Sequence, residues 1–228
     1  MNINYMNAVT LNDKWIVEEV FNGMRNGFYV EVGAGNGRDG SCTYVLEKEL
    51  DWTGILVEPL PSHFEGLKKN RPNSKCVNKG LSSSPGVLKY YHFDGWGGYN
   101  GFPSLNKFGE DQWWKKVNDN VKGAVAQEQQ IECVTLSSVL MENDAPKIID
   151  YLCLDIEGAE LEVMRDFPFG EYKFKAISIE FSPQPLTDIL IKNGYRQVVN
   201  PFNDVMWEHY FVHKDYLKLE YIANDNST

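Results

Sequence analysis

Short, almost continuous apolar runs alternate along this chain with stretches in which apolar positions recur every three or four residues. Residues 13–23, DKWIVEEVFNG, have the second pattern, with Asp at the start and Gly at the stop, and predict a helix. GFYVEVG (27–33) predicts a strand, SCTYVLEKEL (41–50) a helix, TGILVEP (53–59) a second strand and SHFEGLKKN (62–70) its helix. SKCVNKGLS (74–82) predicts a third strand. SPGVLKYYHF (84–93) opens on Pro-Gly and then alternates, as an arm of an added hairpin does. The period is lost over 94–129, where EDQWWKKVNDN (110–120) is a candidate short helix. QIECVTLSSVL (130–140) resumes as strand into helix, and IIDYLCLDIEG (148–158) is a strongly apolar strand. AELEVMRDF (159–167) is a helix, KAISIEFS (175–182) a strand and PLTDILIKNG (185–194) a helix stopped by Gly. YRQVVN (195–200) and VMWEHYFVHK (205–214) form an antiparallel pair through PFND.

Strands that are apolar on both faces and alternate with helices predict an α/β domain, a parallel sheet covered on both sides. The last two strands fit an antiparallel edge. The 228 residues suit a single domain. Residues 1–26 form its N-terminal helical region, 94–129 a variable insertion and 221–228 a polar, frayed tail.

Composition narrows the function classes. Hydrophobic residues are 43% and aromatics 13%, an ordinary globular balance. No stretch has the length of a membrane span and the N-terminus lacks a signal-peptide layout, so a cytoplasmic protein is expected. The formal net charge is -10, and the one basic cluster, LKKNRP (67–72), ends a helix, where cations meet the negative end of the dipole. Nucleic acid is therefore not an expected partner. Cys42, Cys76, Cys133 and Cys153 are scattered, without a CxxC pair, and are expected to be reduced thiols.

The stretch FYVEVGAGNGRDGS (28–41) ends a strand in glycines, as if the backbone must approach something closely. Gly33, Gly35 and Gly37 give G-x-G-x-G, and Arg38 stands where a dinucleotide fingerprint needs its third glycine. Glu31 precedes them, and Glu58, followed by Pro59, closes the second strand where an acid takes both hydroxyls of a ribose. This order suits a ligand without phosphate, S-adenosylmethionine, whose cationic groups want carboxylates nearby. A tight strand-to-helix turn needing no ligand is the bland alternative. An NAD(P)-dependent oxidoreductase, or a non-catalytic Rossmann-like binding domain, are the others.

YVEVGAGNGRDGSCTYV, GILVEPLPSHFEGLKKNRP, NKGLSSSPG, VTLSSVL, DYLCLDIEGAELEVM and ISIEF, in that order, resemble the FkbM-type S-adenosylmethionine-dependent methyltransferases over residues 27–181. LDIEGAELEVM is the most specific element. The resemblance implies the class I methyltransferase fold, a mostly parallel seven-stranded sheet with an antiparallel last strand. It also implies transfer of a methyl group to a hydroxyl, commonly on sugars and glycans. By position it implies that Glu31, Gly33, Ala34, Gly35 and Gly37 frame the methionine part, that Glu58 and Pro59 meet the ribose and adenine, and that Gly80 and Leu81 flank adenine. Ser137 stands where the family often has Asp.

Methyl transfer to oxygen needs an aligned hydroxyl, exclusion of water and a place for its proton. Asp155 ends an apolar strand and Glu180 ends the next, so Asp155 is the candidate base and Glu180 the second carboxylate. Glu160 is better read as a helix-start acid. The same acids could instead hold Mg²⁺. The aromatics of the insertion, among them Trp96, Tyr99 and Trp113, either pack the loop or wall an acceptor site together with Glu157. Uncharged polar and aromatic equipment on an acidic chain suits a neutral glycan acceptor.

Overall fold

The computed structural model describes residues 3–93, 126–156 and 158–217. The expectations placed on Trp96, Tyr99, Trp113, Glu157 and the tail fall outside these residues.

Five parallel strands form the body of the sheet: β1 (Phe28–Val32), β2 (Thr53–Val57), β3 (Lys75–Val77), β7 (Ile148–Leu154) and β8 (Lys173–Glu180). Two more, β9 (Tyr195–Val198) and β10 (Glu208–His213), complete seven strands in the order β3-β2-β1-β7-β8-β10-β9. β10 runs antiparallel to both β8 and β9. The order reverses between β1 and β7, and an open α/β sheet binds its ligand at the carboxyl end of such a switch. This is the Rossmann-like class I methyltransferase architecture.

Alternation along the strands sorts side chains onto two cores. Val30, Val32, Leu152, Leu154, Ile177 and Ile179 bury against α4 (Leu136–Glu142), α5 (Glu160–Met164) and α6 (Gln184–Lys192). Tyr29, Tyr151, Cys153 and Ala176 face the other way, against the N-terminal helix, α2 (Tyr44–Leu50) and α3 (Pro61–Asn70). The N-terminal helix starts as α1 (Asn12–Lys14) and widens into a π turn at Trp15–Val20, where Phe21 N–H reaches back to the Ile16 carbonyl. Its three successive residues Trp15, Ile16 and Val17 are all buried.

Two expectations need correction. The third strand is not continuous: the main sheet keeps only β3, while β4 (Gly80–Leu81) leaves to join a second, three-stranded sheet. Asn78 sits in the break, and its side-chain amide donates to the carbonyls of Glu58 and Pro59 at 2.8 and 3.0 Å. The loss of period to residue 129 also overreaches, because β6 (Ala126–Val134) already begins inside it and pairs with β5 (Gly86–Phe93) as the other arm of the hairpin.

Candidate active site

The sheet register gathers the site. At one level on the α2 side, Glu31, Cys153, Ser178 and Tyr210 lie side by side on β1, β7, β8 and β10. One pleat repeat nearer the carboxyl edge, the same strands bring Gly33, Asp155, Glu180 and Glu208 to the same face. Asp155 continues β7, donating its N–H to the Val32 carbonyl at 3.1 Å, and Glu180 is the register partner of Glu208. Three carboxyl groups thus stand on adjacent strands beside the glycine loop.

The first glycine is fixed by this packing. Gly33 has φ 83°, and a Cβ there would lie 1.8 Å from the Asp155 carbonyl oxygen. Gly37, with φ 74°, would drive a Cβ to 2.4 Å from Leu67 Cδ1 on α3. Gly35 differs: its φ is 54°, yet a Cβ would meet nothing within 4 Å. The middle glycine therefore leaves open space beside bare backbone, a cradle at the carboxyl end of β1. Ala34 is buried, with its N–H on the Val57 carbonyl at 3.1 Å.

The two acids assigned to the ligand are turned inward. Glu31 accepts hydrogen bonds from Ser41 Oγ and Cys42 N–H, both at 2.9 Å, and from Thr43 Oγ1. These three bonds tie the end of β1 to the far end of the glycine loop and so shape the cradle. Glu58 is 1% exposed and receives the N–H groups of Gly35 and Leu60, each at 2.8 Å. It clamps the glycine loop to the turn after β2, which leaves each oxygen a second lone pair. Burial raises its carboxyl to about 7, against those two hydrogen bonds. Gly80 and Leu81 are buried in β4, and Leu81 joins the core. Asn78, just before β4, holds its amide on the Glu58–Pro59 backbone.

Arg71 was not legible as a site residue. It is 0% exposed and stretches beneath the loop, donating to Glu47 Oε2 (2.7 Å), Tyr29 Oη (2.6 Å), Thr43 Oγ1 (2.9 Å), Ser41 Oγ (3.2 Å) and the Gly37 carbonyl (3.1 Å). Lys68 and Lys69 lie in the last turn of α3 as expected, but the third cation of that cluster is a buried hub. His63, on α3, brings Nδ1 to 3.8 Å from Glu58 Oε1.

At the carboxyl edge of the row, the Asp155 residue is exposed, yet protein packs closely around its carboxyl group. This enclosure pushes its carboxyl up, against a hydrogen bond shared with Glu180. Glu208, missed in the sequence, is buried, takes Asn12 Nδ2 at 2.7 Å, and is pushed up to about 8 by burial, with the Asp155 and Glu160 charges adding to it. Glu160 accepts from the Ile156 and Gly158 N–H groups at 3.1 and 3.2 Å, the helix-start role expected of it. Burial is thus the main cause that raises both Asp155 and Glu208. Among the described residues, the group whose metal-ligating atoms all lie within 4.8 Å is Glu31, Cys42 and Cys153, which is sulfur-rich and has its carboxylate engaged by the loop. No helix among the described residues is long and apolar enough to cross a membrane.

Solved structures similar to this chain are distant. A precorrin-6y C5,15-methyltransferase from Geobacter metallireducens is 10% identical with a TM-score of 0.44, over 93% of this chain and 91% of that one. A methyltransferase from Pyrococcus furiosus is 15% identical with a TM-score of 0.42, over 94% and 89%. Two structures of the METTL16 methyltransferase domain are each 14% identical, with TM-scores of 0.43 and 0.45, and this chain spans 63% and 66% of their lengths. Curated proteins give no match. The methyltransferase FkbM domain matches residues 31–216, most of the chain and every element described above from the end of β1 onward. With the glycine cradle, the acid after β2 and the seven-stranded order in place, the chain belongs to the FkbM methyltransferase domain family.

Proposed function

We propose that the protein is an S-adenosylmethionine-dependent O-methyltransferase acting on a hydroxyl of a sugar or glycan, with deoxyhexoses as the first acceptors to try. The observation that carries the reading is the row Gly33, Asp155, Glu180 and Glu208, which sets oxygen acceptors for a hydroxyl proton directly beside the glycine cradle.

The donor, when bound, supplies a methyl group already activated by its sulfonium. The chain's residues do the rest. Gly35 leaves room for the adenosine against bare backbone, and Glu58 holds that backbone in place. Asp155 accepts the hydroxyl proton as the oxygen attacks. Its carboxyl, raised by enclosure, is a stronger base than an ordinary aspartate while its shared hydrogen bond with Glu180 orients it. Glu180 takes a second hydroxyl of the acceptor and so fixes which oxygen points at the methyl group.

Incubation with methyl-labelled S-adenosylmethionine and a panel of neutral and deoxy-sugar glycans, with and without Mg²⁺, tests the reading. Label recovered as an ether on a sugar oxygen is the expected result. Label found only on nitrogen or carbon acceptors would refute it.

A further inference from the structure

Glu180 and Glu208 face each other across β8 and β10 at the end of the acid row. Each adjoins a large apolar residue that the fold leaves in solvent. Phe181 and Trp207 are both 46% exposed, and Met206 is 89% exposed. Phe181 and Trp207 are held together through the backbone, the Phe181 N–H donating to the Trp207 carbonyl at 2.8 Å.

Phe181 also carries φ 54°. A bulky side chain takes this left-handed conformation only when its surroundings impose it, and Gly or Asn would occupy it with less strain. Core packing does not account for a phenylalanine there, since nearly half of it lies in solvent. Backbone strain and exposed aromatic surface next to a row of carboxyl groups are what a binding surface shows. The residues between β9 and β10 (199–207) include no Lys or Arg, and Asp204 adds a negative charge. That argues against a phosphorylated acceptor. A neutral pyranose has what the patch would recognise, an apolar C–H face for the rings and a rim of hydroxyls for the carboxyls.

We propose that Phe181 and Trp207, with Met206 at the rim, form an acceptor subsite that packs against the C–H face of a neutral sugar while Glu180 takes its hydroxyls. The identity of this occupant rests on the function proposed above; the position of the subsite is a separate claim, and the residues between β5 and β6 are not needed for it.

The test is ¹⁹F NMR of the full chain carrying 5-fluorotryptophan, with the Trp207 line assigned from Trp207→Phe. Methyl α-L-rhamnopyranoside and methyl β-D-glucopyranoside are titrated into protein saturated with S-adenosylhomocysteine. The Trp207 line is expected to move saturably with at least one glycoside. In Phe181→Asn, which tolerates the same φ, binding is expected to weaken by about tenfold. The proposal is overturned if no glycoside moves the line, if cyclohexanol or adenosine moves it as strongly, or if Phe181→Asn binds as wild type does. A moving Trp207 line without methyl transfer to any sugar would keep the subsite and sink the proposed function. Sugar methylation with an unmoved line would do the reverse.

Discussion

Arg71 Nε donates to Glu47 Oε2 at 2.7 Å, and neither side chain is exposed by more than 4%. Glu31 lies 3.7 Å from the same guanidinium. A cation thus sits beneath the glycine loop, offsetting two buried carboxylates and tying β1, α2 and α3 to one point. Removing it strands both acids. Arg71→Met should therefore destabilise the protein by about 3–5 kcal/mol in urea unfolding. A loss under 1 kcal/mol would mean that the acids shed their charge more easily than this network implies.

Gly35 and Gly40 form a matched pair. Both have positive φ, 54° and 73°, and a Cβ at either meets nothing within 4 Å. An alanine at each should cost about 1–2 kcal/mol of backbone strain. Only Gly35→Ala should also weaken the methyl donor, by tenfold or more, because only that Cβ enters the cradle. Equal donor affinity in the two variants would place the ligand elsewhere.

Stability should depend on pH in two bands. Burial raises Glu58 and Glu160 to about 7 and Glu208 to about 8, from an ordinary 4.5. A raised carboxyl binds its proton more tightly when folded, so this contribution is complete below pH 4.5 and is lost as pH rises through 7 to 8. Glu47 is opposite: burial works against its charge, but the Ser74 hydrogen bond and Arg71 bring it down to about 2. Its contribution holds above pH 4.5 and disappears as pH falls toward 2. Denaturant midpoints should peak near pH 5 and fall toward both 8 and 3. A midpoint that rises steadily from 5 to 8 would contradict the burial effect on Glu58, Glu160 and Glu208.

Asp155→Asn should lower kcat by about 10²–10⁴ with donor affinity within threefold of wild type, the signature of a lost general base. Glu180→Gln should raise the acceptor KM more than it lowers kcat. If Asp155→Asn keeps near-full kcat, the proton goes elsewhere.

The fold was legible where local pattern and tertiary packing agree. The run ILV in β2 and YLCL in β7 are apolar on both faces because helices cover both faces, and Gly194 stops α6 with φ 91°. It was less legible where a side chain redirects the backbone. Asn78, bonded to the Glu58 and Pro59 carbonyls, splits an apparently continuous strand, and nothing in the local period announces it. The π turn at Trp15–Val20 hides likewise behind ordinary helical spacing.

The position of Asp155 and Glu180 at the carboxyl edge of the sheet was legible because each is an acid at the end of an apolar strand. Glu208 begins its strand instead, and only the antiparallel register of β10 turns that position toward the same edge. Arg71 was read with Lys68 and Lys69 as a cation at a helix end, because its partners Glu47 and Tyr29 lie 24 and 42 residues away in sequence. What the sequence does not show is which donors within the protein meet these acids: Gly35 and Leu60 N–H for Glu58, and Ser41, Cys42 and Thr43 for Glu31.

Calorimetric titration of S-adenosylmethionine, and separately of NAD, into wild type and Glu58→Ala tests the central claim most directly. Saturable one-to-one binding of the methyl donor is predicted, with no heat from NAD and loss of donor binding in a Glu58→Ala variant that still unfolds cooperatively. Binding of NAD without binding of the methyl donor would contradict the account.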